Sequence, residues 1–174
     1  MVNEGINQKQ TEFLKLYDSV HDRFEKYCRA AAYGGYPYED LMNDCLLRAF
    51  DKLDSLKDRD AFLSFLIGIS RRLLANASRK MKPEPTLDSV NVFDIPKAEE
   101  SIKVQFLHWC LSQLPTQLKE PLILYEITGF SVREIASSMG LSESNVKKRL
   151  SRGRKQLKEI VTLEMNKEKG VKHG

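Results

Sequence analysis

Apolar residues recur along most of the chain at helical spacing. From Thr11, the positions Phe13, Leu16, Val20, Phe24, Tyr27 and Ala31 return every three or four residues, which marks a helix buried on one face. Gly34-Gly35 ends that helix and Tyr36-Pro37 restarts the chain. A second stripe, Met42, Cys45, Ala49 and Leu53, predicts a helix over 38–54. A third helix is predicted over 60–81, with Phe62, Phe65, Leu66, Ile69, Leu73 and Ala77 inward. After a gap in the pattern, Ile102, Phe106, Trp109, Cys110 and Leu114 make a fourth. Pro115 opens a turn. Proline lacks an N–H and clashes with the preceding turn, so Pro121 is expected in the first turn of the next helix, ahead of Leu122 to Ile127. No segment alternates as a strand does. The expected fold class is all-α.

The pattern then tightens over 130–157. Ser131 followed by Glu134 is a capping box, with Phe130 and Ile135 at the spacing of a hydrophobic staple. Gly140 stands where a left-handed C-terminal cap is needed. Ser142 caps the next helix, and Leu141 and Val146 repeat the staple spacing. Small Ala136 suits a close helix crossing. Two helices and a tight turn of this kind form a helix-turn-helix, whose second helix enters the DNA major groove.

Charge changes the picture by its placement. The net charge of +4 is modest. From Ser142 to Lys158, however, seven bases stand against the single acid Glu143. Val146, Leu150, Leu157 and Val161 keep an apolar stripe, so this is an amphipathic basic helix. Its bases can neutralise phosphates, and its N-terminal end is placed to meet base edges. The second helix and the segment after it, 39–60, hold seven acids and four bases. Residues 61–83 hold Arg71, Arg72, Arg79, Lys80 and Lys82 and no acid. The first helical unit thus has an acidic part and a basic part.

Domain limits follow from the breaks. Residues 1–10 are polar and expected to be loose. Residues 11–82 form a first domain, 83–98 a proline-containing linker, 99–163 a second domain and 164–174 a polar tail. Within the linker, Val90, Val92, Phe93 and Ile95 are apolar enough to dock on a domain or partner. Cys28, Cys45 and Cys110 are widely spaced, with neither a disulfide framework nor a zinc pattern. No apolar run approaches the ~20 residues of a membrane span. A cytoplasmic protein with buried free thiols is expected. No metal-ligand cluster, phosphate loop, nucleophile motif or carboxylate pair stands at a plausible site, so neither enzymatic activity nor a cofactor is expected.

The chain resembles the sigma-70 family of bacterial transcription initiation factors. Gly129-Phe130-Ser131-Val132-Arg133-Glu134-Ile135-Ala136, then Met139-Gly140-Leu141-Ser142 and Asn145-Val146-Lys147-Lys148-Arg149-Leu150-Ser151-Arg152-Gly153-Arg154 look like its region four. Glu39-Asp40-Leu41-Met42-Asn43-Asp44-Cys45, Leu47-Arg48-Ala49-Phe50 and 61–72 resemble region two. Two such regions with nothing else are similar to the extracytoplasmic-function (ECF) group. The resemblance implies a sigma factor that binds core RNA polymerase and directs it to promoter DNA. It implies minus-thirty-five recognition by Ser142, Ser144, Asn145, Lys147, Lys148, Arg149, Arg152, Arg154 and Lys155. Minus-ten recognition and melting would fall to Lys57, Asp58, Arg59, Arg71, Arg72, Asn76, Arg79 and Lys80. Asp40, Leu41, Asn43, Asp44, Leu47, Arg48 and Asp51 would meet the polymerase β′ clamp helices, with region four touching the β flap. An anti-sigma factor is a further partner common in the group. A stand-alone regulator and a module whose basic helix meets an acidic protein share parts of the same pattern. Dimeric DNA binding, or failure to bind core polymerase, distinguishes them.

Overall fold

The computed structural model describes residues 2–80 and 102–171. The chain divides into two compact units, Met1–Asn91 and Val92–Gly174. The expected linker 83–98, with its apolar Val90, Val92, Phe93 and Ile95, lies outside the described residues, as does Lys82. Every long element is a helix, and no strand occurs among the described residues.

The first unit packs three helices, α1 (Val2–Ala32), α2 (Tyr38–Asp51) and α3 (Phe62–Lys80), each against the other two. Their shared core holds Phe24, Tyr27, Cys28, Leu41, Cys45, Ala49, Phe62, Leu66 and Ile67. Phe13 meets the rings of Phe50 and Phe62 edge-on, both at 5.5 Å between centroids. Two features differ from expectation. Helix α1 begins at Val2, so the polar N-terminal stretch is helical rather than loose. Helix α2 stops at Asp51, and the 3-10 turns Leu53–Ser55 and Arg59–Ala61 lead into α3.

The second unit contains α4 (Ile102–Ser112), α5 (Thr116–Leu122), α6 (Val132–Met139) and α7 (Glu143–Val171). Helix α5 begins at Thr116, five residues before Pro121, so Pro121 lies inside it rather than in its first turn. After α5 the helix widens into a π-type turn over Ile123–Ile127, where the Thr128 N–H donates to the Ile123 carbonyl at 3.0 Å. Buried Pro121 itself contributes to the core. Helix α7 runs on to Val171, so most of the expected polar tail belongs to the same rod. Lys167 and Glu164, 2.6 Å apart, pair along that extension.

Candidate nucleic-acid interface

The helix-turn-helix is built by its caps. The Glu134 N–H donates to Ser131 Oγ at 3.2 Å, and the Ser131 N–H donates to Glu134 Oε2 at 2.7 Å. These reciprocal bonds satisfy N–H groups that the first turn of α6 leaves open. Gly140 then takes φ 65°, the left-handed cap, and the Leu141 N–H closes on the Ala136 carbonyl at 2.9 Å. On α7, the Asn145 N–H donates to Ser142 Oγ at 3.1 Å. Phe130, Ile135, Ala136, Val146 and Leu150 are buried beneath the turn.

Gly153 sets how closely α7 approaches α5. A methyl group there would lie 2.8 Å from Leu122 Cδ1 and 3.3 Å from the Leu118 carbonyl oxygen. Val146, Leu150 and Gly153 thus fix the inward line of α7. On a helix of 3.6 residues per turn the opposite side carries Ser144, Lys148, Ser151, Arg152 and Lys155, all exposed, with exposed Lys147 and Lys158 beside them.

Four of the expected DNA-contacting residues on this helix have work inside the protein. The Ser142 hydroxyl is the cap. Arg149, half-buried, donates from Nε to Asn145 Oδ1 at 3.1 Å, so the two side chains hold each other. Arg154 lies 2.7 Å from Glu126 and 5.2 Å from the Tyr125 ring centre. The bond to Glu126 raises its already high pKa further. Arg154 therefore braces the π-type turn against α7.

In the first unit, Arg72, Asn76 and Arg79 are exposed along one face of α3, at successive turns, with Lys80 exposed beside them. Half-buried Arg71 lies one position round the helix. Lys57 is exposed in the connection between α2 and α3. The Asp58 carboxylate caps the second 3-10 turn, accepting from the Asp60 N–H at 3.0 Å. Arg59, its side chain 39% exposed, turns Nε and Nη1 toward the protein. It donates to Glu12 Oε1 at 2.7 Å and to the carbonyls of Leu53 and Leu56 at 3.0 and 2.7 Å.

Each unit matches one family model. Residues 16–83 match Sigma-70 region 2, and residues 107–157 match Sigma-70, region 4. The chain belongs to the sigma-70 family. Its relatives put it in the ECF group of sigma factors. The chain is 25% identical over 149 residues to the RNA polymerase sigma factor SigZ of Bacillus subtilis, covering 84% of this chain and 85% of that protein. It is 28% identical over 137 residues to the ECF RNA polymerase sigma factor SigM of Bacillus subtilis, covering 75% and 83%. The fold matches that of the sigma factor RpoE, solved with the anti-sigma factor NepR from Bartonella quintana, at a TM-score of 0.69 and 24% identity. That match covers 88% of this chain and 96% of the other.

Within region two, α2 turns one face outward. Asp40, Asn43, Leu47 and Asp51 recur on it at helical spacing, with exposed Arg48 adjacent. Leu47 is 68% exposed in the middle of these polar groups. Asp44 is half-buried and accepts from the Tyr36 hydroxyl at 2.7 Å. That bond is the main cause of the raised Tyr36 pKa. Leu41 is a correction. It is fully buried against the neighbouring helices, where no polymerase surface can touch it. Of the expected stripe, Cys45, Ala49 and Leu53 are fully buried and only Met42 is half-buried, its inward place being taken by Leu41.

Sequence reasoning also passed over Gly153, Glu126 and Glu12. A glycine inside a run of good helix formers is the signal that marks Gly153. The other two act through partners distant in sequence and leave no local signature.

Proposed function

We propose that this sigma factor directs core RNA polymerase to promoters by gripping DNA at two places. The region-four helix α7 reads duplex at the minus-thirty-five element. Ser144, Lys148, Arg152 and Lys155 face the DNA, and Lys147 reaches phosphate. The α3 stripe of Arg72, Asn76, Arg79 and Lys80, together with Lys57, takes the minus-ten element and holds its separated non-template strand. A basic groove lowers the free energy of a separated strand by neutralising its phosphates. Asp40, Asn43, Leu47, Arg48 and Asp51 on α2 meet the β′ clamp helices, and region four touches the β flap. The acid-rich face of α2 suits a basic protein partner and repels DNA. Because RpoE is solved with an anti-sigma factor, a partner of that class is proposed here too.

The observation that carries this reading is the placement of bases on α7. The side opposite Val146, Leu150 and Gly153 bears Lys148, Arg152 and Lys155 at successive turns, on a helix held by two capped ends of a helix-turn-helix. Run-off transcription with purified core polymerase tests it. Lys148→Glu with Arg152→Glu should abolish promoter use and leave core binding intact. Equal loss of both would assign α7 to polymerase or to folding instead.

A further inference from the structure

The connection between α2 and α3 is held from α1 at several points. Lys9 Nζ lies 2.7 Å from Asp54 Oδ2 and 5.2 Å from the Phe50 ring centre. One turn on, Glu12 Oε1 accepts from Arg59 Nε at 2.7 Å. The same guanidinium donates through Nη1 to the carbonyls of Leu53 and Leu56. Phe13 packs edge-on against Phe50 and Phe62, which flank the connection on either side. Leu53 is fully buried.

These contacts change the role of Arg59. A phosphate ligand needs its fork of N–H donors turned outward. Arg59 spends Nε and Nη1 inward, and the Glu12 carboxylate offsets part of its charge. A planar fork that bridges one carboxylate and two backbone carbonyls instead fixes the path of the chain between them.

We infer that Arg59 is a positioning residue, which with Glu12 locks the Lys52–Asp58 segment into the shape that presents Lys57 to minus-ten DNA. This rests on the proposal that the segment meets the minus-ten element. Helix α1 then does more than complete a bundle, because its N-terminal third is the brace of the promoter-opening loop. Lysine at position 59 offers a point charge and cannot span the three acceptors.

The test compares Glu12→Ala, Arg59→Lys and Glu25→Ala in reconstituted holoenzyme. Glu25 lies on the same helix and pairs with Arg29 at 2.7 Å, away from the connection. Promoter opening is read by permanganate reactivity of unpaired thymines, and core binding and thermal melting are read in parallel. Losing a charge-assisted bond should lower opening about tenfold in both Glu12→Ala and Arg59→Lys. The double variant should be no worse than either single one, and base preference at the minus-ten element should relax equally in both. Glu25→Ala should stay within about twofold of wild type. If Arg59→Lys impairs opening while Glu12→Ala does not, Arg59 touches DNA directly and the inference is overturned. Loss of opening in all three variants in step with melting temperature overturns it as well. A wild-type holoenzyme that opens no promoter sinks the underlying minus-ten assignment, and this inference with it.

Discussion

Replacing Gly153 with alanine isolates the contact that sets how closely α7 approaches α5. In an ordinary helix interior the change is stabilising by ~0.8–1.0 kcal/mol, because alanine loses less backbone entropy on folding. Here the new methyl carbon would sit 2.8 Å from Leu122 Cδ1 and 3.1 Å from its Cγ. Leu122 is 2% exposed and cannot swing into solvent. The Leu118 carbonyl, 3.3 Å away, is backbone and resists movement. Overpacking of this kind costs about 1–3 kcal/mol. Subtracting the helix gain leaves a net loss of roughly 0–2 kcal/mol, opposite in sign to the usual substitution. The protein's single tryptophan, Trp109, lies in α4, so its fluorescence during urea unfolding reports on the second unit. The control is Gly68→Ala in α3, where a methyl group would meet nothing within 4 Å. Followed by circular dichroism, it should show the full gain of ~0.8–1.0 kcal/mol. A midpoint for Gly153→Ala that rises as Gly68→Ala does would refute the claim that the α5–α7 crossing requires glycine.

The remaining expectations concern the first unit. Leu41→Ala should cost about 2–5 kcal/mol of stability, measured by urea unfolding, because its site is fully buried. Leu47→Ala, on the exposed face of α2, should change stability by less than about 0.5 kcal/mol yet weaken binding to core polymerase, measured by equilibrium titration. Burial pushes the Cys45 thiol up to about 11, and burial likewise raises Cys28. A thiol with a raised folded-state pKa stabilises the fold fully below its unfolded value, near 9.0, and loses that contribution as pH climbs through about 11. Over that window wild-type stability should fall by up to about 1.4 kcal/mol per pH unit for this thiol, and Cys45→Ala should lack that part. Parallel pH profiles for the two proteins would contradict the assignment. Near neutral pH neither thiol should react with iodoacetamide until the unit unfolds, since the thiolate is the nucleophile.

What could be read from the sequence was local. The Ser131–Glu134 box, the left-handed Gly140 and the Ser142 cap are each decided by residues within a turn of one another, and all three stand as the spacing implied. The helical stripes were legible because burial repeats every three or four residues. The ends of helices were less so. The start of α1 and the end of α7 carry few apolar residues, and a helix already nucleated simply propagates through them. Pro121 was misplaced because Thr116 and Gln117, which open α5, are polar and add nothing to an apolar stripe that would mark its start. Arg59 and Arg154 were grouped with outward-facing bases because charge alone does not show direction. Their partners, Glu12 and Glu126, lie 47 and 28 residues away.

The single rod of α7 makes region four a lever. Its 29 residues span ~43 Å, and the Gly153 crossing divides it unequally. The short arm, ~15 Å to Glu143, carries Lys147, Lys148 and Arg152, three of the bases proposed to meet DNA, and the long arm extends ~27 Å to Val171. Leu163 and Met165 stand exposed on that long arm. A tilt of about 5° about the glycine displaces the far end by ~2.4 Å and Glu143 by ~1.3 Å, distances that follow from the rise per residue. A body bearing on the far end therefore works with mechanical advantage on the short arm. It can shift Lys148 and Arg152 without touching either of them.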